Sequence, residues 1–307
     1  MRRTLAVVLL VAAAALVPAP AHGGARCFGA AARNPEHPGC HVSPLAVFPA
    51  PEDALIAPAE PCTIVRPRFP EVCAFGVPKS QARATFALVG DSHAAHWRAA
   101  LAVVARAERW RGLDLDRSRC PFARLLKATN PRDRAACARW NARVRRWFAH
   151  HPSVSVVFVS QRRQVHAVPR PGLGQFDTRV AGLVDAWNGL PPTVHHVVAI
   201  ADVPYNRAST FGCVERALAH HRSPDAACAV PRALALTPDP ALTAAAAIGP
   251  PRVQSIDLTP FMCTSADCLP VVGGVLVHKD RGHLTRAFSA TLGPFLLRDL
   301  RRLMRAW

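Results

Sequence analysis

Long apolar segments are scarce in this sequence, which limits the kinds of protein it can encode. After residue 25 no apolar run reaches about 18 residues, the length that a membrane-spanning helix requires, so a polytopic membrane protein is excluded. Lysine is nearly absent, and acidic residues number only 20 against 38 Lys and Arg, which gives a formal net charge of +18. This preference for Arg over Lys indicates that genome composition supplies part of the charge. Half of the residues are hydrophobic, which excludes disorder over most of the chain.

The N-terminus has the pattern of an export signal. Arg2 and Arg3 precede an apolar run over residues 5–17, and Ala19 and Ala21 provide a small-residue cleavage site of the A-x-A type. We therefore predict a signal peptide over residues 1–21 and a chain that is secreted or held at the outer face of the cell envelope. The alternative is an uncleaved anchor, but the apolar run is short for a membrane span.

Cysteine pairs of the metal-binding C-x-x-C type are also missing, although the chain contains ten cysteines. All ten follow the predicted cleavage site, and an even number in an exported chain indicates disulfides. No metal site and no cofactor are expected. A preference for small loops predicts five pairs between sequence neighbours: Cys27–Cys40, Cys62–Cys73, Cys120–Cys137, Cys213–Cys228 and Cys263–Cys268.

Secondary-structure patterns divide the remaining chain at about residue 80. Residues 22–80 are rich in proline and hold four cysteines, which predicts an irregular, disulfide-stapled N-terminal extension. From residue 81 onward, strand patterns alternate with helical ones, which predicts an α/β domain with a parallel sheet covered on both faces. The predicted strands are 84–89, 154–159, 194–201 and 253–258, and the predicted helices are 94–110, 133–149, 176–190, 233–248 and 285–304.

The first pattern that suggests chemistry is Gly90-Asp91-Ser92-His93, directly after the first predicted strand of this region. Ligands of open parallel sheets bind beyond the carboxyl ends of the strands. The Ser92 hydroxyl would project into such a crevice, where the backbone N–H of the same residue would stabilise an oxyanion. The alternative is that Asp91 and Ser92 only cap the following helix.

The second pattern is Asp280-Arg281-Gly282-His283, directly before the last predicted helix. A serine hydroxyl needs a base at neutral pH, and a neutral histidine is suited to that role. A carboxylate three residues earlier on the same turn can fix the tautomer of the histidine. Taken alone, Asp280 is equally consistent with a residue of a helix N-terminus, and His283 is one of fourteen histidines.

Together the two patterns resemble the SGNH hydrolase superfamily, and more closely the SGNH domain fused to membrane acyltransferase-3 proteins, which O-acylate bacterial surface polysaccharides. The resemblance covers the chain from about residue 84 to the C-terminus. It implies a flavodoxin-like three-layer α/β sandwich over residues 81–307, with Ser92 as nucleophile, His283 as general base and Asp280 as its orienting partner. Further matching segments are Cys120 to Asn141, Asp202-Val203-Pro204 and Ile256-Asp257-Leu258.

The sequence departs from the wider superfamily at the remaining oxyanion donors. No glycine follows the second strand in the expected place, and residues 154–159 lead into Ser160-Gln161-Arg162-Arg163 rather than a G-x-N-D turn. The backbone N–H of Ser92 stays a candidate donor, and Ser160 and Gln161 are candidates for the others.

Several polar residues near these turns have less specific signals. Asp91, His93 and Arg162 are candidates for substrate contact, although His93 and His96 are more typical of polar residues at a helix start. His278 is expected at the surface, and Asp257 is expected to order a loop. The tryptophans at helical spacing are expected in the core.

Positive charge is concentrated in residues 98–170, where 17 Lys and Arg face four acids. A solvated helix face is one explanation. The other is attraction to anionic envelope polymers or lipid headgroups. Nucleic acid is not an expected partner, because no binding motif is present.

The resemblance implies an exported serine-dependent esterase or acyltransferase. It would act on short, acetyl-like acyl esters of cell-envelope glycans or other acylated carbohydrates, through an acyl-enzyme on Ser92. The acyl-supplying membrane half is absent from this sequence, so we expect either a separate membrane acyltransferase as partner or a free esterase. The alternative is a catalytically silent protein that binds envelope polymers on the same scaffold.

Overall fold

The computed structural model describes residues 27–36, 39–40, 42–57, 59–125 and 127–307, and the predicted signal peptide lies outside them. Every helix in this part of the chain is too short or too polar to cross a bilayer. The strands are β1 (Thr63–Arg66), β2 (Val72–Gly76), β3 (Ala84–Gly90), β4 (Trp110–Asp114), β5 (Val154–Ser160), β6 (His196–Ile200), β7 (Val230–Pro231), β8 (Val253–Ile256), β9 (Asp267–Cys268), β10 (Val271–Val272) and β11 (Val275–Leu276). The helices are α1 (Pro51–Ile56), α2 (Ser92–Ala95), α3 (Arg98–Glu108), α4 (Pro131–Ala149), α5 (Gln175–Asn188), α6 (Thr210–Ala219), α7 (Pro224–Ala227), α8 (Arg232–Ala235), α9 (Pro240–Ile248) and α10 (Arg286–Met304).

The central sheet has seven strands in the order β1-β2-β4-β3-β5-β6-β8. The five strands β4, β3, β5, β6 and β8 are parallel to one another, which confirms the predicted parallel sheet. Their order is that of a flavodoxin-like sheet, in which the chain moves to one side after β3 and to the other side from β5 onward. The crevice between the carboxyl ends of β3 and β5 is therefore the switch point where ligands of such sheets bind.

Alternate residues of the parallel strands face two separate hydrophobic cores. Phe86 and Leu88 of β3 pack with α3 and α10, whereas Ala87 and Val89 pack with α4, α5 and α9. Helices therefore cover both faces, and the three-layer α/β sandwich is confirmed. The tryptophans expected in the core are all buried: Trp97, Trp140, Trp147 and Trp187.

The N-terminal extension is more regular than its composition predicts. β2 pairs with β4 and β1 pairs with β2, both antiparallel, so the extension adds two strands to one edge of the sheet. The expectation of an irregular segment is thus wrong for residues 63–76. The sequence pattern is weak there because β1 is an exposed edge strand of four residues, which lacks the apolar periodicity of a buried strand.

Two predicted helices are interrupted in the structure. The helix expected over residues 94–110 is divided into α2 and α3, and β4 begins at Trp110. The helix expected over 233–248 is divided into α8 and α9, because Pro240 starts a new helix. Asp239 caps that helix, since its Oδ1 accepts the N–H of Ala241 at 2.9 Å.

All ten cysteines are paired, in the same five pairs that proximity in the sequence predicts. The bridges join residues 5 to 17 positions apart, so each one fixes a local turn rather than distant elements. Cys62–Cys73 connects the two strands of the extension. The others are Cys27–Cys40, Cys120–Cys137, Cys213–Cys228 and Cys263–Cys268.

Helices α3 and α10 pack side by side on one face of the sheet, and a glycine permits their close approach. A Cβ atom on Gly293 of α10 would lie 2.5 Å from the Cβ of Val103 on α3. The contact matters for the site because α3 follows the Ser92 turn and α10 follows the His283 turn.

We expect Gly293→Ala to destabilise the protein by about 1–3 kcal/mol, because the added methyl group overpacks the α3–α10 contact. Urea unfolding followed by tryptophan fluorescence measures the change. Gly174→Ala is the matched control, since a Cβ there would meet only the Asp177 carboxylate at 3.9 Å. Equal stability of the two variants would contradict the proposed close contact.

Candidate active site

Ser92 lies on a tight turn at the carboxyl end of β3, at the switch point of the sheet. Gly90 just before it has φ +155°, and a Cβ there would lie 1.8 Å from the carbonyl oxygen of Ser160 on β5. Only glycine fits this close approach of two backbones. Asp91 is the N-cap of α2, because its Oδ1 accepts the N–H of His93 at 2.9 Å. Asp91 therefore caps the helix as expected, and the Ser92 side chain is not needed as a cap.

His283 and Asp280 lie on the loop that precedes α10. The imidazole Nδ1 of His283 is 2.7 Å from Asp280 Oδ2 and 3.0 Å from Oδ1. Asp280 Oδ1 also accepts the backbone N–H groups of Gly282 and His283, at 2.9 and 2.8 Å. Burial raises the pKa of Asp280, but these donated hydrogen bonds outweigh burial and hold the pKa well below its usual range. Asp280 is therefore ionised at neutral pH.

The two turns meet through one side-chain hydrogen bond. His283 Nε2 lies 2.8 Å from Ser92 Oγ, although the two residues are 191 positions apart in the sequence. The three side chains thus form a continuous chain from hydroxyl to imidazole to carboxylate. This is the geometry that lets an imidazole take the proton of a serine hydroxyl while a carboxylate stabilises the imidazolium.

A cleft of about 240 Å³ opens beside Ser92 and His283. One wall is the extension around α1, and it is anchored at Glu60. The guanidinium of Arg98 donates to the Glu60 carbonyl oxygen at 2.7 Å, and Arg286 pairs with the Glu60 carboxylate at 2.7 Å. Five alanines contribute to the lining, which also includes the charged residues Glu60, Lys279, Asp280 and Arg286. The alanines are Ala54, Ala57, Ala59, Ala95 and Ala99.

A second histidine–aspartate pair lies directly behind the site. His93 Nδ1 is 2.6 Å from Asp202 Oδ1, both side chains are buried, and the His93 ring centroid is 4.6 Å from that of His283. Burial lowers the pKa of His93, but the Asp202 carboxylate outweighs it, so the pKa is raised. Burial raises the pKa of Asp202, yet His93 and Arg163 hold it well below its usual range. His93 does lie at the start of α2, as expected, but its side chain is buried in this pair with Asp202.

The same pair belongs to a buried polar network that joins the segments after β3, β5 and β6 and the N-cap of α9. Asp202 Oδ2 accepts the backbone N–H of Arg163 at 2.8 Å, and the Arg163 guanidinium donates to the Asp202 carbonyl oxygen. Asp239 accepts the backbone N–H of Asp202 at 2.7 Å. Sequence reasoning misses Arg163 and Asp239, and it includes Asp202 only as part of a matching segment.

Ser160 and Gln161, the two expected oxyanion donors, do not reach the cleft at Ser92. Ser160 is fully buried beneath Gly90, and Gln161 is 4% exposed. Gln161 instead borders a small separate cavity with Pro121. Ser160 is the last residue of β5, which lies inside the sheet, and Gln161 follows it. The sequence alone does not reveal that side chains at the end of this strand are buried.

The remaining sequence candidates divide between core and surface. Arg162 is exposed, and its backbone N–H donates to both Asp91 oxygens at 3.2 Å. His278 is buried rather than at the surface, and burial lowers its pKa to about 4. Asp257 orders the turn after β8 as expected, since it accepts the N–H of Thr259 at 2.8 Å. Within the described residues, no three His, Cys, Asp or Glu side chains converge as metal ligands would.

Comparison with known proteins agrees with this fold. A sequence model of the family described as "SGNH domain (fused to AT3 domains)" matches residues 59–298. Among solved structures, the periplasmic domain of a lipopolysaccharide acetyltransferase from Salmonella ser. Paratyphi A is similar. It superposes with a TM-score of 0.56 at 14% identity, over 74% of this chain and 90% of the other. No curated protein matches the chain.

The fold and the serine–histidine turn geometry define an SGNH-type domain. Because the family match covers well over half of the chain, the chain belongs to the family of SGNH domains that are fused to AT3 domains, a family of hydrolases and acyltransferases. The match begins at residue 59, so it includes β1 and β2 of the extension.

We expect His93→Gln to cost most stability in mildly acidic solution. The raised pKa of His93 means that its charge stabilises the fold fully below about pH 6.5, and this stabilisation is lost as pH rises through the folded-state pKa. The lowered pKa of Asp202 means that its contribution is present above about pH 4 and is lost as pH falls. The cost at pH 5 is expected to be about 3 kcal/mol, and smaller at pH 9.

Urea unfolding of the parent and of His93→Gln at the two pH values measures this difference. His220→Gln serves as control, because His220 is exposed. The same cost at pH 5 and pH 9 would show that the charge of His93 does not stabilise the fold.

Proposed function

We propose that the protein is an exported serine-dependent esterase or acyltransferase that acts on acyl esters of carbohydrates. The observation that carries this proposal is the hydrogen-bond chain from Ser92 Oγ to His283 Nε2 and from His283 Nδ1 to Asp280. Membership of the SGNH family supports the same reaction class. The roles are Ser92 as nucleophile, His283 as general base and Asp280 as its orienting carboxylate.

The reaction would proceed in two halves. Ser92 Oγ attacks the acyl carbonyl carbon while His283 Nε2 takes the hydroxyl proton, and Asp280 stabilises the resulting imidazolium. The tetrahedral intermediate then breaks its bond to the leaving alcohol, which receives the proton from His283. The acyl group stays on Ser92. Water or a sugar hydroxyl, deprotonated by His283, then attacks the carbonyl carbon of this acyl-enzyme. The second tetrahedral intermediate breaks its bond to Ser92 Oγ, which takes the proton back from His283, and the product is the free acid (hydrolysis) or the new sugar ester (transfer).

The oxyanion of the intermediate needs hydrogen-bond donors. The backbone N–H of Ser92 is the donor we propose, because it is the first of α2 and has no acceptor within the helix. The N–H groups of His93 and Arg162 are not available, since both donate to the carboxylate of Asp91.

The cleft supports a small acyl group. Five alanines contribute to its walls, and its volume of about 240 Å³ fits an acetyl-like group together with part of the alcohol. The similar Salmonella structure is the periplasmic domain of a lipopolysaccharide acetyltransferase. By analogy, we propose that this chain acts on a glycan of the cell envelope and is located outside the cytoplasm. Its five disulfides also support a location outside the cytoplasm. Acyl groups would come from a separate membrane acyltransferase, or the protein is a free esterase.

We expect Ser92→Ala and His283→Ala each to lower kcat for 4-nitrophenyl acetate by at least about 10³-fold, because each removes one member of the proton-transfer chain. Asp280→Asn is expected to lower kcat with little change in KM, since it misplaces the histidine tautomer. A fluorophosphonate probe should label the parent on Ser92 and leave both alanine variants unlabelled.

The matched controls are Ser209→Ala and His220→Ala, which change an exposed serine and an exposed histidine. Absence of labelling in a folded, disulfide-intact parent protein would overturn the serine mechanism.

A second candidate function is binding of anionic envelope polymers without catalysis. The observation that favours it is a groove of about 360 Å³ beside β1 and α4, which contains three arginines and no acidic residue. The Arg143 guanidinium lies 5.3 Å from the Phe69 ring centroid, and His151 stacks on Trp147 at 3.9 Å. The groove is lined by Arg66, Phe69, Pro70, Arg143, Arg146, Trp147, His150 and His151.

We expect the double variant Arg143→Ala/Arg146→Ala to weaken binding to polygalacturonate at least about 10-fold, since two cations are removed from the groove. Fluorescence titration at low salt measures the affinity, and neutral amylose is the reference polymer. The control Arg132→Ala/Arg139→Ala removes two exposed charges from the same helix. An equal loss in both double variants would show that only overall charge matters.

A further inference from the structure

Two exposed arginines flank the only tyrosine of the chain next to the candidate active site. The guanidinium carbon of Arg162 lies 5.1 Å from the ring centroid of Tyr205, and that of Arg281 lies 5.7 Å from it. Tyr205 itself is half-buried. Contact with an aromatic ring holds a guanidinium in a defined orientation without neutralising its charge.

This cluster, Arg162–Tyr205–Arg281, borders the catalytic turn. Arg281 lies between Asp280 and His283 in the sequence, and Tyr205 packs against Gly282, where a Cβ would lie 2.7 Å from Tyr205 Cε2. The backbone N–H of Arg162 donates to Asp91, the residue before Ser92. None of the three cluster residues lines the alanine-walled cleft. They are therefore placed for the part of the substrate that lies outside the acyl pocket.

The two guanidinium groups keep their hydrogen-bonding capacity. Within the described residues, neither forms an ion pair or donates a side-chain hydrogen bond to another residue.

The nearby carboxylates already have other donors. Asp91 accepts backbone N–H groups, Asp202 is held by His93, and Asp280 is held by His283. Hydrogen bonding does not remove the charge of these carboxylates, but within the described residues neither guanidinium is paired with them. Both sets of N–H donors can therefore bind an anion that reaches the ring.

We propose that Arg162, Tyr205 and Arg281 form a subsite for an oxyanion, a carboxylate or a phosphate, on the carbohydrate that carries or receives the acyl group. Guanidinium groups bind both anions through paired N–H donors. The proposal rests on the proposed function for the acyl group, but binding of the anionic sugar does not require turnover. It makes the substrate an acidic glycan rather than a neutral one.

The single tyrosine makes the subsite observable. The Ser92→Ala protein, produced with 3-fluorotyrosine, has one ¹⁹F signal, which comes from Tyr205. We expect this signal to shift on titration with methyl glucuronide or glucose 1-phosphate and to stay unchanged with methyl glucoside. The two charged sugars distinguish a carboxylate from a phosphate ligand. Arg162→Ala and Arg281→Ala should each weaken the binding at least about 10-fold, whereas Arg139→Ala, which removes an exposed charge on α4, should not.

Kinetics of the active protein test the same subsite during turnover. The probes are 4-acetoxybenzoate and its uncharged analogue 4-acetoxybenzamide. The parent should prefer the carboxylate in kcat/KM, and Arg281→Ala should reduce that preference about 10-fold, mainly through KM.

The outcomes separate the two proposals. A ¹⁹F shift without turnover of either ester would overturn the esterase function and support the subsite. Turnover without a preference for the carboxylate, together with no ¹⁹F response to either charged sugar, would overturn the subsite and leave the esterase function standing. An undiminished response in both arginine variants would also overturn the subsite.

Discussion

The packing of α3 against α10 is the contact on which the candidate site depends. α3 follows the Ser92 turn after the short helix α2, and α10 follows the His283 turn, so the distance between α3 and α10 influences the distance between Ser92 and His283. Gly293 lets α3 and α10 approach each other closely. Gly90, just before Ser92, lets β3 lie close to β5, which fixes the backbone of the Ser92 turn. Two glycines, at positions that tolerate no side chain, thus locate a hydrogen bond between residues far apart in the sequence.

A buried polar network lies behind the site, although apolar packing in the same place would cost less desolvation free energy. Burying charges is costly unless every partner is satisfied, and removal of one partner leaves an uncompensated charge. Asp202 meets that requirement, because it accepts hydrogen bonds from His93 and from the backbone of Arg163 and Val203. The network connects the loops after β3, β5 and β6. It therefore fixes the position of the Ser92 turn on one side, while the hydrogen bond between Ser92 and His283 holds it on the other.

The parts of the fold that follow from local sequence are predictable, and those that depend on tertiary contact are not. β3, β5 and β6 are short, largely apolar runs, and the disulfides close small loops, so both leave a local signal. β4 is not predicted, because its sequence of Trp, Arg, Gly, Leu and Asp is not a continuous apolar run. β1 leaves none, since it is an exposed edge strand that is defined by pairing with β2. The burial of His93 and His278 also has no local signal, because it depends on the packing of the loop after β6 against the segment between β11 and α10.

The site shows the same division. Ser92, Asp280 and His283 belong to two short sequence patterns whose residue types indicate nucleophile and base chemistry. The structure brings all three side chains together. Ser160 and Gln161 are candidates only by their place at the end of a strand, but Ser160 is buried beneath Gly90 and Gln161 borders a separate cavity. Tyr205 belongs to no pattern, and Arg281 occupies only a variable position between Asp280 and His283. Their grouping with Arg162 arises only when the loop after β6 folds against the turn that carries His283.

The N-terminal extension shows that contacts, rather than amino-acid composition, determine which residues belong to the folded domain. Its proline content and cysteines set residues 22–80 apart in the sequence, yet Glu60 is held by Arg98 from α3 and Arg286 from α10. Those two helices follow the turns that carry Ser92 and His283. The wall of the cleft and these two turns are therefore connected to the same pair of helices, and a movement of the extension changes the width of the cleft beside Ser92.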